Sequence, residues 1–162
     1  MFYKRKEVHM KNLTLSTILL ASVLVLSGCG QKEVQNPQPV QQQQTVNPVN
    51  TASTQLVENM KFALNKNWEI VDTNKIYVTK SKDFENAYFI GTLVKNGSQI
   101  YNCIWFSNSE TMNGDTMSAN DYAIQASSMV DGRKSQAAIS QSDDGYSRIN
   151  QKLIVDMNNK IN

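Results

Sequence analysis

Histidine is almost missing from this 162-residue chain: the single copy is His9, ahead of an apolar run that reads as an export signal. The chain beyond that signal has no imidazole for a Ser-His-Asp or Cys-His arrangement, or for a His-ligated metal. Cysteine is scarce, with Cys29 and Cys103 alone, and proline stops at Pro48. An excess of charge is missing too. Of 16 basic and 14 acidic residues, Lys4, Arg5, Lys6, Lys11 and Glu7 fall in the first 28, which leaves 12 basic against 13 acidic side chains. A near-neutral remainder offers no basic face, so no nucleic-acid partner is expected.

What is present begins with Leu13 to Leu26, apolar except for Thr and Ser. As a helix this run crosses only about 21 Å, short of the roughly 30 Å hydrocarbon core. It follows a basic segment and precedes small residues, the layout of a secretory signal over residues 1–28. Met10-Lys11 offers a second start. The run ends in Leu26-Ser27-Gly28-Cys29, which resembles the lipobox of bacterial lipoproteins. That resemblance implies diacylglyceryl transfer to the Cys29 thiol and cleavage before it. The partner would be the lipid bilayer, reached through acylated Cys29, on the extracytoplasmic face of the cell membrane. Two or more acyl chains give lasting attachment where one is marginal. Once Cys29 is acylated, Cys103 has no partner for an intramolecular disulfide, and the domain must be held by its core alone.

Residues 30–53 hold Pro37, Pro39, Pro48 and the run Gln41-Gln42-Gln43-Gln44, with no aromatic residue. Such a segment buries too little to offset its chain entropy, so residues 29–53 are expected to be a disordered tether reaching roughly 25–30 Å. Residues 54–162 carry every aromatic except Phe2 and Tyr3 and read as one globular domain.

Within that domain Leu56, Val57, Met60, Ala63 and Leu64 share a helix face, with Ser53 or Thr54 as cap and an end near Asn67. Trp68–Val71 and Ile76–Thr79 around Asp72-Thr73-Asn74 read as a short hairpin. Ala87–Lys95 and Ser98–Phe106 flank Asn96-Gly97, the pair favoured in a two-residue type I′ turn. That loop pairs residues whose numbers sum to 193. It puts Phe89, Leu93, Ile100, Ile104 and Phe106 on one face, and Tyr88, Ile90, Thr92, Val94, Tyr101, Cys103 and Trp105 on the other. Ser107–Thr116 reads as a loop. A helix capped at Ser118–Asp121 runs through Tyr122, Ala123, Ala126 and Met129 to Gly132. A last helix starts near Ser142-Asp143-Asp144 and buries Tyr146, Ile149, Leu153, Ile154 and Met157. The fold class is α+β: a four-stranded antiparallel sheet of two hairpins, in the order α-β-β-β-β-α-α.

Chemistry is hard to place on this pattern. Asp143-Asp144 reads as a helix cap. EF-hand alignments on Gly145 (Ser140, Ser142, Asp144, Gln151) and on Gly114 (Ser109, Thr111, Asn113, Asn120) lack the charge and final Glu that calcium needs. Cys103, mid-strand, lacks the cationic neighbour that makes a thiol reactive. No catalytic residue, metal or cofactor is expected. Tyr88, Thr92, Tyr101 and Trp105 share one hairpin face and are the candidate ligand-binding residues. That face is either an exposed platform for a protein or cell-wall partner or a second core layer under a helix. Asp83–Ile90, Trp105 and Asp143-Asp144 resemble a pattern in uncharacterised secreted bacterial domains, which implies no function.

The function expected is a non-catalytic envelope lipoprotein whose domain binds a protein or envelope ligand. Alternatives are a phage-exclusion or host-protection lipoprotein, and a hydrolase using carboxylates alone, which needs two acidic groups in one cleft.

Overall fold

A computed structural model describes residues 47–161. The expected signal, Cys29 and the tether up to residue 46 lie outside the described residues. The elements are β1 (Asn50–Thr51), α1 (Thr54–Ala63), β2 (Trp68–Ile70), β3 (Tyr77–Lys80), β4 (Tyr88–Asn96), β5 (Gln99–Ser107), β6 (Thr116–Ser118), α2 (Asp121–Ala126) and α3 (Asp144–Ile161). The class is α+β, as the sequence indicates, but the sheet has six strands rather than four.

β3, β4, β5 and β6 form an antiparallel meander, and β1 adds to the outer edge of β3. The expected hairpin between Trp68–Val71 and Ile76–Thr79 does not form. β2 and β3 run in the same direction and pair end to end with β4, Trp68 opposite Asn96 and Lys80 opposite Tyr88. Asp72 turns the chain outward without reversing it: its carboxylate accepts the Asn74 amide at 3.0 Å and its carbonyl the Lys75 amide at 3.0 Å. The long β4 edge offers more backbone partners than two short strands offer each other, and that decides the pairing.

Residues 47–53, expected in the tether, belong to the sheet edge. Asn50 and Thr51 pair with Val78 and Tyr77, Thr79 Oγ1 donates to the Pro48 carbonyl at 2.9 Å, and Arg148 donates to the Asn47 carbonyl. Thr116–Ser118, which runs from the end of the expected loop into the expected helix cap, pairs with β5 as a strand. Composition hid both, because short polar edge strands take their hydrogen bonds from a neighbour rather than from their own pattern.

The β4–β5 hairpin forms, but its partners sum to 195. The turn is Gly97-Ser98, with Gly97 at φ 62° as the positive-φ residue at the first turn position, the arrangement of a type II′ rather than a type I′ turn. Asn96 is held in the strand opposite Trp68. A shift of two leaves each side chain on its expected face while changing every cross-strand partner.

Both faces are covered. Ile90, Val94, Cys103 and Trp105 pack under α1 and α2 with Leu56, Met60, Ala123 and Ala126. Phe89, Leu93, Ile104 and Phe106 pack under α3 with Tyr146, Ile149 and Leu153. Two covered faces explain why residues 89–94 are buried without alternation. Ser53 caps α1, accepting the Leu56 amide at 3.3 Å. Asn120, rather than Ser118, caps α2, accepting the Ala123 amide at 2.9 Å. α2 stops at Ala126, short of Gly132, and Ile154 on α3 is exposed.

Gly91 is where α3 meets β4. A Cβ there stands 2.4 Å from Ile149 Cγ2 and 3.2 Å from the Cys103 carbonyl. Gly91→Ala therefore forces α3 off the sheet and costs about 1–3 kcal/mol, read as a lowered urea midpoint.

Candidate functional site

The expected platform is not a surface. Trp105 is fully buried, and its Nε1 donates to Ser127 Oγ at 3.1 Å. Thr92 is fully buried, and its hydroxyl donates to the Lys75 carbonyl at 3.0 Å. Tyr88 is half-buried against the same core. The small side chains Ala123 and Ala126 let α2 approach the Trp105 region closely, so the aromatic face becomes a second core layer. This corrects the platform reading for Trp105 and Thr92.

Tyr101, half-buried like Tyr88, keeps part of its surface in company the sequence did not indicate. Its ring centroid lies 5.3 Å from that of Trp68 and 5.2 Å from that of Tyr122, with interplanar angles of 47° and 43°. Trp68 and Tyr101 are half-buried and Tyr122 is 42% exposed. Each ring comes from a different element: β2, β5 and α2. The register places Trp68, Asn96, Gln99 and Tyr101 on one face at the hairpin end, where Trp68 and Tyr101 also pack against the rim of the core under α1 and α2. The Tyr101 hydroxyl donates to Gln99 Oε1. Trp68 and Tyr122 were visible only as a strand residue and a helix-stripe residue, and nothing in their spacing announces the contact.

The buried and ion-paired carboxylates are taken up by structure. The Asp143 carboxylate, buried, accepts from Ser81 Oγ at 2.6 Å, the Lys82 amide at 3.1 Å, the Asp83 amide at 3.0 Å and the Gly145 amide at 2.7 Å. Arg133 engages Asp131 at 2.8 Å and Asp121 at 2.6 Å, and its hydrogen bond holds the Asp131 carboxyl below the ordinary range. Asp156 accepts from Lys75 Nζ at 2.9 Å and from the Tyr77 hydroxyl at 2.7 Å. Burial pushes the Asp156 carboxyl up, but these two donors outweigh it and hold it low. A groove of about 410 Å³ is lined by Thr51, Ala52, Thr54, Val57, Thr73 and Asn74, none of them ionisable. In a second depression of about 230 Å³, Glu85 is the acidic lining residue. Neither supplies the two carboxylates a glycosidase-type cleft needs.

Among the described residues no three His, Cys, Asp or Glu side chains are grouped to hold a metal ion. None of the described helices is long and apolar enough to cross a membrane. Cys103 is a free, fully buried thiol, and desolvation raises its pKa, which keeps it in the unreactive protonated form.

Burial, then the hydrogen bond to Asp156, pushes the Tyr77 hydroxyl up from 10.0 to about 12. A raised pKa means that folding favours the protonated phenol. Its contribution is fully present below pH 10 and is lost as pH rises towards 12. Tyr77→Phe should therefore lose less stability than the wild-type chain across that interval, measured by urea melts at stepped alkaline pH. Parallel losses in the two proteins would refute the coupling.

Comparison of the chain with family models, with curated proteins and with solved structures finds no match in any of the three.

Proposed function

We propose that this chain is a non-catalytic binding domain of the bacterial cell envelope, held to the membrane through acylated Cys29. The sheet edge to which that anchor would be joined begins at Asn50–Thr51, paired with Val78 and Tyr77. The observation that carries the binding role is the Trp68–Tyr101–Tyr122 strip, in which Tyr122 is exposed and Trp68 and Tyr101, packed at the core's rim, keep part of their surface. Half-exposed Trp and Tyr concentrate binding energy because they offer large area with little rotamer freedom to lose. The uses found for Asp143, Asp156 and Asp131 in capping and pairing support a role without acid–base catalysis. The anchor rests on the lipobox-like Leu26-Ser27-Gly28-Cys29 and the short apolar run before it.

Metabolic labelling with a palmitate analogue tests the tether. The wild-type chain should carry label and sediment with membranes, with its mature N-terminal peptide beginning at Cys29. Cys29→Ser should carry none. Equal labelling of both chains, or unlabelled wild-type protein, would overturn the anchored reading.

A further inference from the structure

We propose that the Trp68–Tyr101–Tyr122 strip binds a neutral polysaccharide; this names the ligand class of the tethered binding domain and rests on that reading. Tyr101 lies in ring contact with both Trp68 and Tyr122, and the planes of each pair are inclined, at 47° and 43°, instead of nesting face to face. The centroid separations of 5.3 and 5.2 Å are those of rings in direct contact, so the three side chains make one continuous aromatic patch. A pyranose presents an apolar C–H face to an aromatic ring and keeps its hydroxyls at the rim, where they need donors and acceptors.

The rim supplies them as amides. Asn96 and Gln99 are exposed and lie on the Trp68–Tyr101 face by register. Gln99 accepts the Tyr101 hydroxyl through Oε1, which leaves its amide nitrogen as a donor. Asn65 and Gln125, both exposed, stand where α1 and α2 meet, joined by the Asn65 Nδ2 bond to the Gln125 carbonyl at 3.1 Å. Charge is complementary to an uncharged ligand. Glu69 and Lys95 point to the opposite face of the sheet and pair at 2.9 Å, and Asp121, next to Tyr122, is engaged by Arg133. Lys66, exposed in the turn before β2, is what an anionic polymer would engage, and it supplies the counter-test.

The two tryptophans give an internal control. Trp68 is on the strip, and Trp105 is sealed in the core with its indole bonded to Ser127. The full chain in detergent micelles, labelled with 5-fluorotryptophan, should give two ¹⁹F signals, assigned through Trp68→Phe. Neutral chitotetraose or cellotetraose should shift the Trp68 signal saturably and leave the Trp105 signal in place. Tyr122→Ala should weaken that binding about tenfold while the domain stays fully folded at the assay temperature, and Lys66→Ala should bind as the wild type does. Four results would each overturn the proposal. They are a motionless Trp68 signal at roughly ten times a millimolar Kd, both signals moving together, undiminished binding by Tyr122→Ala, and preference for tetragalacturonate that disappears in Lys66→Ala. Unacylated Cys29 with a shifting Trp68 signal would remove the tether and keep the site. Acylated Cys29 with a motionless signal would do the reverse.

Discussion

Asp143→Ala is expected to lower stability by about 3–5 kcal/mol, with a marked loss of α3 helicity as the urea midpoint falls. The carboxylate is 2% exposed and accepts four donors from two regions of the chain: Ser81 Oγ, the Lys82 and Asp83 amides, and the Gly145 amide at the start of α3. The Asp143 carbonyl accepts the Ser147 amide, so the residue also begins the helix. Removing the side chain leaves the Ser81 hydroxyl and the Gly145 amide short of an acceptor in buried surroundings, where each such group costs about 1–3 kcal/mol, and the Lys82 and Asp83 amides short of one in part-buried surroundings. Ser81 in turn accepts the Phe84 amide at 3.1 Å, so the loop that seats Phe84 against Phe106 loosens as well. Asp143→Asn retains one acceptor oxygen and a competent cap, and should recover part of the loss. A drop below about 1 kcal/mol for the alanine variant would show that water replaces the carboxylate at little cost.

Trp105→Ala is expected to cost about 3–5 kcal/mol, again as a lowered urea midpoint, because a fully buried indole leaves a void between β5 and α2. The indole donor is lost along with the volume, although Ser127 Oγ still donates to the Ala123 carbonyl at 2.8 Å. Tyr122→Ala, at a residue 42% exposed, should stay within about 0.5–1 kcal/mol of the wild type. The contrast separates a core tryptophan from a surface tyrosine that are both aromatic in sequence. Any loss of ligand capture in Trp105→Ala then reports unfolding. If Trp105→Ala proved as stable as Tyr122→Ala, the placement of α2 over β5 would be wrong.

Those two sites also show what could be read in advance. The β4–β5 hairpin was legible because Asn96-Gly97 separates two β-rich runs, and two-residue alternation fixes which side chains share a face. The turn itself was not: pairing of Asn96 with Trp68, a residue far along the chain, extends β4 past the point where local preference would end it. α1 and α3 were legible from apolar spacing and from Ser53 and Asp143-Asp144 at their starts. The false hairpin at Trp68–Thr79 had the right β-rich runs, but whether they pair with each other or with a third strand depends on which edge is free.

The sequence by itself determined the α+β class, the three helices, the central hairpin with its two faces, and the absence of histidine beyond residue 9. These follow from periodicity, turn chemistry and residue type, which act over a few residues. Tertiary structure alone decided that α1 and α2 seal Trp105 and Thr92 inside, that residues 47–53 close the sheet edge, and that Trp68, Tyr101 and Tyr122 meet at the surface. Such contacts join residues tens of positions apart and depend on which helix covers which face, and amphipathic helices satisfy their own spacing equally well on either side of a sheet.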